Sequence, residues 1–290
     1  MDATYIRMET TGGSRRLRAQ RQTLLMRQHW RGWGVVGSLL LLLGGCATLP
    51  EGIGGGEESR VGNLGERSQE SPADLYVNLA VEYLRRQAFP QALQNAREAV
   101  RRDANNADAH NVLALVYDQL DETSHAERHF QRALSLQPKN PYYRNAYGFF
   151  LCKRSRYPAA EQEFLRALDN PLYSTPAVAL NNAGICTLRS GNSAKAEEYF
   201  IRALRHEPRL ASALLEMADL SLKQDKVALA REYLRRFHAV SGRSARSLWL
   251  GIQIARILGD RDTEASLALQ LRSNFPDSDE YLQLMGARHR

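Results

Sequence analysis

The residues of this chain whose types and spacing could do chemistry are two histidines, two cysteines and three asparagines. His125 and His129 stand four residues apart, one turn of a helix, so both imidazoles could reach a single metal ion. A zinc peptidase helix needs Glu directly after its first His to serve as general base, and here Ala126 holds that place. The pair therefore reads as part of a solvated helix face, with no metal. Cys152 and Cys186 are separated by 34 residues, and Asn111, Asn145 and Asn181 recur at intervals of 34 and 36. No Gly-rich phosphate loop, Ser/His/Asp set or Cys/His set accompanies them. The residues point to binding and not to catalysis: no enzyme, no cofactor and no small-molecule substrate.

A recurring interval near 34 identifies the elements that must carry these residues. From His110 to Pro138, with Ala126 numbered as position 20 of a 34-residue unit, Leu113 falls at 7, Ala114 at 8, Tyr117 at 11, Phe130 at 24, Ala133 at 27 and Pro138 at 32. This pattern resembles the tetratricopeptide repeat (TPR), two antiparallel helices A and B per unit. Small residues at 8 and 20 sit where the helices cross, Tyr117 and Phe130 fill the space beside the crossing, and Pro138 ends helix B. Ala92, Ala160, Ala196 and Ala230 place further units in the same frame, one step lengthened to 36 by the loop 170–176. A sixth unit covers Trp249 to Pro276 with Gly259 at its turn, its register open by a residue or two. One unit cannot bury its apolar face alone, so the units must stack. The expectation is an all-α, right-handed TPR solenoid of about six helix-turn-helix repeats.

The 290 residues are 43% hydrophobic and 24% charged, ordinary for a globular protein. Of the net charge of +7, residues 1–45 contribute +5 through seven Arg against two acids, leaving +2 for the rest. That remainder gives no footprint for nucleic acid. Three Cys are too few for a disulfide-built scaffold. Arg27 and Arg31 precede an apolar run from Val35 to Leu43 that ends in Leu-Gly-Gly-Cys at 43–46. The run is too short for a membrane span of about 20 residues, and the arrangement resembles a bacterial lipoprotein signal. Residues 1–45 read as a signal peptide, with Met26 the better start. The resemblance implies lipidation of Cys46 and a membrane anchor. Ala47, where an inner-membrane retention signal would have Asp, points to the periplasmic face of the outer membrane. Residues 46–71, rich in Gly, Glu and Ser, read as a tether of about 25–30 Å reach. The superhelix is assigned to 72–282 and a tail to 283–290.

In a TPR stack, positions 2, 5, 9, 12 and 13 of each helix A line the concave surface. Position 5 carries Asn111, Asn145 and Asn181, whose side chains can donate and accept towards a peptide backbone or else satisfy neighbouring loops and backbone. Val77, Val81, Leu84, Leu115, Tyr142, Phe149, Ile185 and Leu188 interleave with them. Apolar residues facing solvent mark a partner surface, here for a peptide or helix laid in a groove. Cys152 at position 12 and Cys186 at position 10 lie on adjacent A helices that pack about 8–10 Å apart. An oxidising compartment favours a disulfide between them; the alternative is two buried small apolar residues.

Further segments carry a narrower resemblance: Phe149-Phe-Leu-Cys152, Asn170-Pro-Leu-Tyr173, Asn182-Ala-Gly-Ile-Cys186, Leu215-Glu-Met-Ala-Asp219, Leu250-Gly-Ile and Gly259-Asp-Arg-Asp262. With the lipobox and the repeat count, they resemble the PilF/PilW family of type IV pilus biogenesis and stability lipoproteins. The resemblance implies a pilotin, which accompanies the outer-membrane secretin of the pilus and helps it reach the membrane and form its ring. A second class of function fits the same solenoid: a general periplasmic scaffold, for example one that regulates a cell-wall enzyme.

Overall fold

The computed structural model of the chain describes residues 71–287, all of whose regular elements are helices. The signal segment, Cys46 and the tether lie outside the described residues. The helices pair in order as A and B: α1 (Pro72–Arg85) with α2 (Phe89–Arg102), α3 (Ala107–Gln119) with α4 (Thr123–Leu136), and α5 (Pro141–Lys153) with α6 (Tyr157–Leu168). There follow α7 (Pro176–Arg189) with α8 (Ser193–His206), α9 (Ala211–Lys223) with α10 (Val227–Val240), and α11 (Ala245–Leu258) with α12 (Arg261–Asn274). A single helix, α13 (Asp279–Ala287), closes the described residues. Each pair packs on the next, and the chain folds as an all-α TPR solenoid.

Every A helix ends in the same way. Position 15 holds Gln87, Asp121, Ser155, Gly191, Asp225 and Gly259, all left-handed, with φ of 58° to 59° for the four non-glycines, 91° for Gly191 and 70° for Gly259. The next residue sends its N–H back to the carbonyl of position 11 at 2.9–3.1 Å: Ala88 to Tyr83, Glu122 to Tyr117, Arg156 to Leu151, Asn192 to Thr187, Lys226 to Ser221 and Asp260 to Ala255. This six-to-one bond with a left-handed residue inside it is the Schellman close of a helix. It reverses the chain within two residues, so helix B returns against helix A at a fixed angle. The sixth left-handed residue lies 34 after the fifth, which resolves the sixth repeat's register.

At the crossing, the space is as small as the residue types require. A Cβ built on Gly148 would lie 2.8 Å from the Phe164 ring and 3.1 Å from the Ala160 carbonyl oxygen; on Gly184 it would lie 2.6 Å from the Phe200 ring. Position 8 thus receives the aromatic ring of position 24 directly, and both Phe164 and Phe200 are fully buried. Asn106 and Asn140 cap the following A helices by accepting from Ala109 N–H at 2.9 Å and Tyr142 N–H at 3.0 Å, as N-cap side chains do.

Two expectations change in detail. Twelve helices were expected and thirteen occur among the described residues. The boundary between superhelix and tail at 282/283 falls inside α13, because Asp279 stands 34 residues after Ala245 and begins a seventh helix A. Leu284 is 3% exposed and packs on Leu248, Ile252 and Leu271, so this helix belongs to the stack.

The crossing and the turn make opposite predictions. Gly184→Val should lower unfolding free energy by about 1–3 kcal/mol through overpacking, whereas Gly242→Ala, with open space around its Cβ position, should not. Ser155→Gly relieves a left-handed non-glycine and should raise stability by about 0.5–1 kcal/mol. Urea unfolding of the three variants measures both effects.

Candidate functional site

The A helices were expected to line a groove, and the structure divides the proposed lining in two. At positions 5 and 12 four of the proposed residues are buried between A helices. Val77 is 8% exposed and Leu84 3%, while Asn145 and Asn181 are 0% and 6%. These four are seam residues and do not face solvent. Position 9 stays half-buried and open: Val81, Leu115, Phe149 and Ile185 form an apolar column through four consecutive repeats. Asn111, Tyr142 and Leu188 are also half-buried. The column then turns polar, with Asp219 and Gln253 at the equivalent places in repeats five and six.

The asparagines are placed between the two readings that the sequence leaves open. Asn145 Oδ1 accepts from Asn182 Nδ2 at 3.1 Å, a bond wholly buried between α5 and α7. Yet Asn145 Nδ2, Asn111 Oδ1 and Asn181 Oδ1 are buried without a hydrogen-bond partner in the protein. A buried polar atom left without a partner costs about 1–3 kcal/mol. Asn111, the most open of the three, can still turn its amide to a bound backbone. Asn145 is tied to the neighbouring repeat. Tyr142 donates to or accepts from Ser174 Oγ at 2.7 Å and meets Tyr173 edge-on with centroids 5.2 Å apart. It thereby fixes the inserted loop 170–175 against the groove.

Charged groups that sequence reasoning missed tie the helices together, Asp118 and Arg246 between A helices and Glu163 between α5 and α6 of one repeat. Asp118, 4% exposed at its side chain, accepts from Lys153 Nζ at 2.9 Å and lies 2.6 Å from Arg154 Nη1. Glu163 binds Arg144 at 2.6 Å and Arg166 at 2.7 Å. Arg246 on α11 grips Glu216 and Asp219 on α9, at 2.6 and 2.7 Å, which pushes its pKa further above the guanidinium range. A signal for the first existed: Asp118 occupies position 12, where Leu84, Cys152, Leu188 and Leu222 are apolar.

Cys152 and Cys186 are joined across the seam of α5 and α7 as a disulfide, with Cα atoms 5.6 Å apart, inside the range such bonds need. His129 departs from the solvated face expected of it. It is half-buried, its Nδ1 lies 2.9 Å from Nδ1 of buried His110, and it stacks on Tyr117. His110 Nε2 meets the Ala104 carbonyl at 3.1 Å, so that nitrogen carries the proton and His110 Nδ1 accepts from His129. Burial, with His110, Arg128 and His125 alongside, lowers the His129 pKa to about 4, and burial also lowers that of His110.

Comparison with known proteins adds the following. Residues 77–141 and 187–244 match the tetratricopeptide repeat family. The chain is 36% identical over 223 residues to the type IV pilus assembly protein PilF of Pseudomonas aeruginosa, covering 77% of this chain and 88% of that protein. The structure of Pseudomonas aeruginosa PilF superposes with TM-score 0.67 at 37% identity, covering 74% of this chain and 97% of that one. The crystal structure of PilW, a type IV pilus biogenesis factor, gives TM-score 0.67 at 32% identity, covering 73% and 98%. A chain of the APC/C hetero-tetramer Cut9–Hcn1, TM-score 0.65 at 13% identity and covering 74% of this chain and 42% of that one, shares the fold alone.

Two measurements test these contacts. Since His129 binds its proton less readily in the folded chain than at the ordinary value near 6.5, the unfolded state takes up more protons as pH falls from 6.5 towards 4. Stability present above pH 6.5 should therefore drop across that window, by on the order of 2 kcal/mol, and His129→Gln should flatten the drop in a pH series of urea unfolding. Reduction of the Cys152–Cys186 bond, which closes a loop of sequence separation 34, should lower stability by about 3–4 kcal/mol, read as the shift between oxidised and reduced samples.

Proposed function

The chain belongs to the PilF/PilW family of TPR proteins of type IV pilus biogenesis, and from that premise we propose that it is an outer-membrane lipoprotein, anchored through Cys46, that binds the pilus secretin and promotes its localisation and oligomerisation. The observation that carries this reading is the match to PilF across 88% of that protein's length. Two features of the chain support it. The Leu-Gly-Gly-Cys motif supplies the anchor: acyl chains on the Cys46 thiol and amino group together hold a protein far better than one chain does. The column Val81, Leu115, Phe149 and Ile185, flanked by Asn111, Tyr142 and Leu188, supplies the contact surface.

The mode is an apolar segment of the secretin laid along the A helices. Burying two large side chains of the column against a partner contributes roughly 2–4 kcal/mol at about 25 cal/mol per Å² of apolar surface. Asn111 adds direction, since its amide can engage the partner's backbone from the side of the same groove. The seam residue Asn145 acts indirectly, its bond to Asn182 keeping α5 and α7 at the spacing that the partner reads.

Leu115→Ala with Phe149→Ala should weaken binding to purified secretin by about 2–4 kcal/mol, leaving thermal unfolding close to that of the parent because both residues are only half-buried. Calorimetric titration checks it, with unchanged affinity counting against the groove. In cells, Cys46→Ala should abolish labelling by a fatty-acid analogue and release the protein from the outer membrane; a labelled or still anchored variant would refute the lipid site.

A further inference from the structure

The repeat register identifies α13 as the first half of a repeat whose second helix the described residues do not supply. Helix A positions 4 and 8 face the helix B of their own repeat. At position 4, His110, Leu180, Leu214 and Leu248 are 7%, 1%, 0% and 0% exposed; Leu282, the equivalent residue of α13, is 61% exposed. At position 8, Ala114, Ala218 and Ile252 are all 0% exposed, and Gly148 and Gly184 are filled by Phe164 and Phe200. Gly286 is the equivalent residue of α13 and has nothing within 4 Å of its Cβ position. Met285, beside it, is 37% exposed. A helix that merely closed a solenoid would present a polar outer face; this one presents a leucine and an open glycine where the six preceding repeats seat a helix.

We propose that α13 accepts an amphipathic helix from a partner protein, which completes the seventh repeat in the helix B position. The third and fourth repeats, which like α13 have Gly at position 8, specify with the second what that helix carries. In α4, α6 and α8 the buried stripe is Ala126, Phe130, Ala133; Ala160, Phe164, Ala167; and Ala196, Phe200, Ala203. The partner therefore offers a small residue, an aromatic four residues on to lie over Gly286, and a second small residue three further on. Its direction follows too. Helix B runs antiparallel to helix A, so the partner's last turn lies beside the first turn of α13, which carries Asp279 and Glu280. From Asp260 to Arg290 there are six acids and four Arg, so the segment is net negative. A basic last turn suits that edge and also complements the partner's own helix dipole. The same charge disfavours a second copy of this face as the occupant, because like charges would meet.

The probe is a synthetic peptide of residues 192–206, the sequence of α8, which has the stripe Ala196, Phe200, Ala203 and ends in Arg205 and His206. Fluorescence anisotropy of the labelled peptide with the full-length protein should show saturable binding that weakens as salt is raised. Leu282→Asp and Gly286→Phe, both on exposed positions, should each weaken it at least tenfold without moving the thermal unfolding midpoint, and Phe200→Ala within the peptide should do the same. Absence of saturable binding, or binding that ignores both α13 substitutions, as at the exposed Leu75 and Leu79 of α1, overturns the proposal. So does concentration-dependent self-association of the protein that Leu282→Asp abolishes, which would assign the face to a second copy.

Discussion

The close approach of position 8 to the aromatic of position 24 is the contact on which the rest of this molecule depends. With Phe164 and Phe200 lying directly over Gly148 and Gly184, helix A and helix B of the third and fourth pairs meet at one distance and one angle. A side chain at the glycine would have to displace a fully buried ring, and close-packed interiors have little room for that. The Schellman turn at position 15 sets the same angle from the other end. Neither device suffices alone: the turn fixes where the chain reverses, and the crossing fixes how closely the helices lie. Together they make every repeat nearly the same wedge, and a stack of equal wedges gives neighbouring A helices a common concave side.

Register between wedges is set by chemistry that differs from seam to seam. Across α3 and α5 it is Asp118 with Lys153 and Arg154; across α5 and α7, the Asn145–Asn182 bond and the Cys152–Cys186 pair; across α9 and α11, Arg246 with Glu216 and Asp219. Apolar contacts slide at little cost, whereas a buried charge or amide is satisfied in only a few positions. The seam of α5 and α7 has both a hydrogen bond and a covalent link, and it is also where the loop 170–175 lengthens the repeat by two residues. The longer connection gives these helices more freedom to part, and two specific ties oppose it.

Much of this was legible in the sequence, for a reason that also limits it. Repeat positions 8, 11, 20, 24 and 27 are set by contacts within one helix pair, so residue type and spacing suffice to read them. Gly191 and Gly259 announce left-handed turns, but Gln87 and Ser155 take the same conformation with no such signal, because the Schellman bond imposes it. The groove residues divide by depth, which spacing along one helix does not report. At positions 5 and 12 Val77, Leu84, Asn145 and Asn181 are buried in the seam, whereas Val81, Leu115, Phe149 and Ile185 at position 9 stay half-buried. His129 was misjudged similarly: its partner His110 is 19 residues away on another helix, beyond what periodicity along α4 can report.

The described stack has two outer faces, and they differ. Interior repeats bury positions 3 and 7 of helix A against the preceding repeat, as Ala109 and Leu113 do at 0% and 2% exposure, yet at the start Leu75 and Leu79 are 52% and 38% exposed. The two ends are therefore not equivalent. The first presents the face of a helix A that would normally meet the previous repeat, and α13 presents the face that would normally meet its own helix B. Between them, the position 9 column is apolar in the first four repeats and polar in the last two. The apolar lining and the half repeat thus lie in different parts of the stack, separated by the repeats whose A helices are clamped by Arg246. The two proposed surfaces are far enough apart in the stack for an extended segment and a helix to engage them without competing.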